Sequence, residues 1–126
     1  MILDPIVIAV IKAEDGSVEL TLDVPPDLTH FAGHFPAHPL LPGVIEVDWA
    51  VRLAETHFAL PRQRFSQLRN VKFTRPIRPG ERLVCRLAWE AAAGRLSFAY
   101  TCAGQPCASG QLEFTADAPQ PPGAPA

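Results

Sequence analysis

HFAGHFPAHPLLPGVIEVDWAVRLAETHF, residues 30–58, is the stretch on which the fold turns. Its first half carries Gly33, Pro36, Pro39, Pro42 and Gly43, residue types that interrupt regular structure. From Val44 onward, apolar residues fall at Val44, Val47, Val51, Ala54 and Phe58, the three-and-four spacing of a one-sided helix. At about 100° per residue, Asp48 lies roughly 40° from Val44 and 60° from Val51, inside that stripe. Glu46 lies about 160° from Asp48 and is expected to face elsewhere. Burial disfavours the charged form of a carboxyl, so an acid within an apolar stripe holds its proton to higher pH and is ready to donate it. The same wheel fits a structural acid bonded to a backbone amide or an arginine, and angles alone do not separate the two.

The start of the helix carries its own chemistry. Pro42 suits the first turn, where its missing N–H is no loss. No Ser, Thr, Asp or Asn stands just before it to cap the free amides. The N–H groups of Gly43 and Val44 are therefore expected to stay open at the positive end of the helix, able to hold an oxygen that gains negative charge. Water or the preceding loop would satisfy them equally well.

His30, His34 and His38 are spaced by four, which on a helix would suggest a metal face. Gly33, Pro36 and Pro39 argue against a helix there, and no CxxC or HExxH pattern is present, so no metal site is expected. His34, in a proline-rigid loop, reads as a positioned base; His30, His38 and His57 read as surface histidines.

With 126 residues, 48% of them apolar, the chain has the size and composition of one domain with a single core, assigned to residues 1–117. A net charge of −2 gives no overall pull toward nucleic acid or an anionic membrane. The apolar run from Ile6 to Ile11 is too short to span a bilayer and lacks the basic start of a signal peptide, so no membrane insertion and a cytoplasmic location are expected. Cys85, Cys102 and Cys107 are odd in number, without metal spacing, and read as reduced thiols. The Pro- and Ala-rich residues 118–126 read as a disordered tail.

Residues 6–13 (IVIAVIKA) and 18–24 (VELTLDV) read as strands around a turn at Glu14–Ser17. After the helix, 65–75, 82–90, 95–103 and 107–115 read as four more, with turns at Pro76–Gly80, Gly94 and Gly104. Short connections between the last three imply antiparallel pairing. One helix among six strands is the pattern of an α+β domain, in which a curved antiparallel sheet wraps a long central helix. A basic cluster, Arg62, Arg64, Arg69, Lys72, Arg75 and Arg78, suits an acidic partner or a phosphate-bearing carrier arm, and equally a solvated surface. It is short and has little aromatic interleaving beyond Phe65 and Phe73, which disfavours nucleic acid.

With these residues in view, the chain resembles the 3-hydroxyacyl-[acyl-carrier-protein] dehydratases of the FabA/FabZ type, which have the hotdog fold. The likeness is carried by Gly33-His34-Phe35-Pro36, Pro39, Leu41-Pro42-Gly43-Val44 and Asp48, and by Lys72 to Glu81, which looks like the family's KFxRPVxPGD segment. The strand order matches over about residues 5 to 116. The resemblance implies that His34 is the catalytic base and Asp48 the catalytic acid. It implies that Gly43, Val44, Phe35 and Pro42 hold the substrate, with the Gly43 amide on the thioester carbonyl. It implies no cofactor. The partner would be acyl-carrier protein with a phosphopantetheine-linked acyl chain. The site would be shared in a homodimer, a dimer-based oligomer or a pairing with a second hotdog subunit, Asp48 reaching the partner's His34. Ala37 stands where the family usually has Gly, and Trp49 where the fatty-acid enzymes usually have a small residue. The Asp-Trp pair and short N-terminus look more like the dehydratases of aryl-polyene clusters (ApeI-like), which leaves the acyl chain open between polyene and ordinary fatty acid. A hotdog thioesterase and a non-catalytic acyl-carrier-binding subunit are the competing readings.

Overall fold

The structure, a computed structural model, describes residues 3–29, 40–61 and 64–115. It contains strands β1 (Ile6–Lys12) and β2 (Val18–Asp23), helix α1 (Gly43–Glu55), then β3 (Phe65–Phe73), β4 (Arg82–Glu90), β5 (Arg95–Cys102) and β6 (Gln105–Phe114). The strands form one antiparallel sheet in the order β1-β2-β4-β5-β6-β3, the α+β hotdog arrangement expected.

Period-2 alternation decides which face of the sheet is dry. Leu20 and Leu22 on β2, Leu83, Cys85 and Leu87 on β4, and Leu96, Phe98 and Tyr100 on β5 are all buried. Their neighbours in the chain point the other way and are at least partly exposed. Trp49, Ala50 and Ala54 of α1 join this core, so the helix lies on the inner face. Cys85, Cys102 and Cys107 are buried free thiols. Burial pushes the Cys85 thiol up to about 12, consistent with a packing role rather than a reactive one.

Tight connections hold the register. β5 and β6 are joined through Ala103 and Gly104, both at positive φ (51° and 76°), as a two-residue hairpin with the sheet's own twist requires. Gly94, at φ 63°, ends the β4–β5 turn, and a Cβ there would lie 2.5 Å from the Phe114 carbonyl oxygen. Only glycine fits that position.

Two edges of the sheet behave differently from its centre. β1 is exposed along its whole length, including Ile6, Ile8, Val10 and Ile11. β3, at the other edge, is exposed at Phe65, Leu68 and Phe73 and pairs only with β6. A β-branched run reads the same whether it is covered or bare, so the exposure of β1 was not evident from its residues. The tail assigned to 118–126 lies outside the described residues. Among those described, no helix is long and apolar enough to cross a membrane.

Candidate active site

The entry to α1 is tied down before the helix begins. The Leu41 N–H donates to the Ile77 carbonyl at 2.7 Å, fixing the approach of the chain against the β3–β4 connection. Pro42 is the N-cap, extended at φ −60° and ψ 141°, with no side-chain cap. Its carbonyl accepts from the Ile45 N–H at 3.0 Å and the Glu46 N–H at 3.3 Å. The N–H groups of Gly43 and Val44 precede this ladder and have no hydrogen-bond partner among the described residues. Gly43 rests on the Phe73 ring: a Cβ there would come within 2.7 Å of the ring's Cζ. Glycine is thus needed for close approach, and it leaves the amide beside an open cleft.

The helix turns a different sector to the sheet than the apolar stripe suggested. Val44 is 73% exposed, and Val47 and Val51 are only half-buried. The sector facing the core carries Glu46, Trp49, Ala50 and Ala54. Glu46 and Asp48 do face opposite ways, but their expected environments are exchanged. The Asp48 side chain is 47% exposed and accepts from Arg52 Nε at 3.0 Å, one turn further along; Arg52 also pairs with Asp4. The burial argument for Asp48 therefore fails for the single chain. The physical reason is that α1 is apolar on two sides, and the bulk of Trp49, with the small Ala50 and Ala54, fits the curved sheet better than the valine side does.

Glu46 is 3% exposed. Its main-chain carbonyl accepts a 2.6 Å hydrogen bond from the Tyr100 hydroxyl, which anchors the first turn to the centre of β5. Its carboxyl Oε1 is buried and has no partner among the described residues. Desolvation pushes this carboxyl up to about 8, so it is largely a neutral acid at pH 7. Sequence reasoning missed Glu46 and Tyr100. The signal available for Glu46 was a second three-and-four series, Glu46, Trp49/Ala50 and Leu53/Ala54, passed over because it begins with a charge.

Two hollows flank the helix start. A groove of about 430 Å³ runs between α1 and the β3/β6 edge, lined by Val47, Asp48, Val51, Phe65, Leu68 and Phe114, with exposed Val44 at its rim. A cleft of about 490 Å³ lies at the helix N-terminus, between Leu41, Pro42, Gly43 and Glu46 above and Phe73 and Arg75 below. Asp48 and Val44 thus belong to the groove, and Gly43 and Pro42 to the cleft. His34, Phe35 and Arg62 lie outside the described residues.

Two members of the basic cluster are paired with acids. Arg69 is paired with Glu113 at 3.1 Å. Arg75 is paired with Glu81 at 2.8 Å, and this hydrogen bond holds its guanidinium well above the ordinary value. Glu81 also accepts from the Cys102 thiol and the Arg78 N–H; burial works against its charge, but these donors hold it below the usual carboxylate range. The Arg64 carbonyl accepts from the Thr115 N–H. Lys72 and Arg78 are exposed and make no ion pair among the described residues.

Among the described residues, one helix lies on the inner face of a six-stranded antiparallel sheet, the arrangement of the hotdog dehydratases. The profile of the ApeI-like dehydratases matches residues 10–111, and the chain belongs to that family. Among curated proteins, it is 30% identical over 117 residues to the 3-hydroxyacyl-[acyl-carrier-protein] dehydratase FabZ of Thermus thermophilus, covering 83% of this chain and 81% of that one. It is 37% identical over 79 residues to FabZ of Brucella ovis, covering 56% of this chain; the chain spans about half the length of that relative. Among solved structures, it matches the dehydratase heterocomplex ApeI:P from Xenorhabdus doucetiae at TM-score 0.80 and 34% identity, covering 88% of this chain and 97% of that one. It matches an uncharacterised protein from Erwinia carotovora at TM-score 0.76 and 37% identity, covering 88% and 95%. The dehydratase domain of PpsC from Mycobacterium tuberculosis, at 20% identity and TM-score 0.67 over 92% of this chain and 44% of that one, shares the fold.

Proposed function

We propose that the chain eliminates water from a 3-hydroxyacyl thioester on acyl-carrier protein, giving the trans-2-enoyl thioester in fatty acid or polyene biosynthesis. The observation that carries this reading is the placement of Asp48. It is the one charged side chain lining an apolar groove, among the described residues, and the Gly43 amide lies about one and a half turns before it, in the adjoining cleft. An acyl chain suits the groove between Phe65, Leu68 and Val51, which brings its first carbons to the acid. FabZ relatives and ApeI-like membership support the same chemistry.

The elimination follows from these parts. A C2 proton is weakly acidic beside a thioester carbonyl, and a hydrogen bond from the Gly43 N–H stabilises the enolate-like charge as that proton leaves. His34, assigned through its motif, takes the proton. The C3–O bond breaks, Asp48 supplies a proton to the departing hydroxyl, and water leaves with a C2–C3 double bond in place. The single chain leaves Asp48 half in water. We assign its cover to a second hotdog subunit, either another copy or a related chain, laid along β3. The outer edge of β3, unpaired among the described residues, and its exposed Phe65, Leu68 and Phe73 favour such a seat, and one similar solved structure is a dehydratase heterocomplex, ApeI:P. Covering the groove would enclose Asp48 with the reacting carbons of the acyl chain.

Incubating the purified chain with a panel of 3-hydroxyacyl thioesters on acyl-carrier protein, alone and with a co-expressed hotdog partner, tests the proposal. The conjugated enoyl product is expected. Free carrier thiol without enoyl product would assign a thioesterase instead. Activity only with the partner, unaffected by loss of Asp48, would assign a supporting subunit.

A further inference from the structure

We infer that the Glu46 carboxyl, in the cleft at the start of α1, is a hydrogen-bonding contact for a carbonyl group of the pantetheine-type arm that carries the acyl chain. The inference rests on the dehydratase reading only for the identity of that arm.

Three observations carry it. Glu46 Oε1 is buried without a partner among the described residues, an uncommon state for a polar oxygen in a folded interior. It lines the same cleft as Gly43, three residues earlier on one helix face, whose N–H is open. The cleft, about 490 Å³, has apolar walls from Leu41, Pro42 and Phe73 and few polar groups, the make-up of a small-molecule site. A slender arm bearing amides fits such a space.

Charge narrows the ligand. Arg75 borders the cleft but is committed to Glu81 at 2.8 Å, so it does not offset a negative charge on Glu46. A phosphate would meet no free cation there among the described residues and would be repelled whenever Glu46 ionises. A neutral acid and the Gly43 N–H together present two donors, which suits the oxygen of an amide or thioester carbonyl.

Four other titratable groups lie near Glu46 among the described residues. The Tyr100 phenol, from β5, donates to the Glu46 main chain, and burial drives it well above its ordinary value. Cys85, beside it on β4, is likewise pushed up, to about 12. Arg75 stays charged, and the Cys102 thiol beyond it is raised by burial and by Glu81. An alkaline change in binding near pH 8 that disappears in Glu46→Gln reports Glu46.

The test is binding without turnover. The ligand is the amide analogue of butyryl-pantetheine, which resists hydrolysis and has no 3-hydroxyl to eliminate; its Kd is measured by calorimetry from pH 6.5 to 9.5. In the wild type, Kd is expected to be flat below pH 7 and about tenfold weaker at pH 9, as a group titrating near 8 requires. Glu46→Gln, which keeps a donor and cannot ionise, is expected to bind with no such rise. Glu46→Met is expected to bind at least fivefold more weakly at pH 6.5. A flat wild-type profile, an unchanged rise in Glu46→Gln, wild-type affinity in Glu46→Met, or no binding by the wild type would each overturn the contact. If Glu46→Met does not fold, the Glu46→Gln profile decides. Binding with the expected signature, but no enoyl product from any 3-hydroxyacyl substrate, would remove the dehydratase reading and leave the contact standing.

Discussion

Glu46→Gln should make the protein more stable at alkaline pH and change it little at acid pH. The carboxyl titrates near the ordinary 4.5 when the chain is unfolded and at about 8 when folded. Between these values the folded state binds the extra proton, so stability falls as pH rises. The favourable state is complete below pH 4.5 and is lost progressively up to about pH 8, beyond which the loss levels off. At about 1.36 kcal/mol for each tenfold change, the loss amounts to about 3 kcal/mol at pH 7 and about 5 kcal/mol by pH 9. The carboxyls held below their ordinary values, Asp15, Asp23, Glu81 and Glu113, act in the opposite sense and at lower pH, so both proteins share their effect. Urea unfolding of wild type and Glu46→Gln at pH 5.5, 7 and 9 isolates the difference. The stability gap should widen by several kcal/mol across the series in favour of the glutamine variant. A gap that stays constant from pH 5.5 to 9 would refute the claim that desolvation governs this carboxyl.

Other consequences are open to direct measurement. Asp48→Asn and His34→Ala should each fold and lose about 10²–10⁴-fold in dehydration rate, read from enoyl product under single-turnover conditions; near-wild-type turnover in either removes that residue from the chemistry. Asp48→Asn should shift stability by less than about 1 kcal/mol, because its partner Arg52 is an exposed neighbour one helical turn away. Tyr100→Phe should cost about 1–2 kcal/mol in denaturant unfolding, since it removes a buried 2.6 Å hydrogen bond to the Glu46 carbonyl. Leu68→Lys, on the exposed edge strand, should leave the fold intact and weaken subunit association in light scattering; an unchanged assembly would place the interface elsewhere.

The sheet was legible because its strands alternate and its turns are punctuated. Leu83, Cys85 and Leu87, then Leu96, Phe98 and Tyr100, mark one face by period alone, and Gly94 and Gly104 mark where the chain reverses. The helix was legible as a helix, but its rotation was not. A wheel gives the angle between Glu46 and Asp48 without saying which of the two meets the sheet. That depends on distant residues, the Tyr100 hydroxyl above all, and on Phe73 beneath Gly43. The basic cluster was visible as composition, but the ion pairs of Arg69 and Arg75 were not, because their acids come from β6 and from the turn before β4. The motif residues Gly43 and Asp48 were legible through their neighbours in the chain, whereas the unpartnered oxygen of Glu46 needed coordinates.

The bond from the Tyr100 phenol to the first turn of α1 has a mechanical consequence. One residue of axial slip moves a helix by about 1.5 Å, enough to carry a 2.6 Å contact beyond hydrogen-bonding range. The depth at which the amide of Gly43 sits is therefore gauged from the middle of the sheet, as a ship's position is held by its mooring. Changes in the surrounding loops would leave that depth in place, because it is set by a bond to the centre of the sheet.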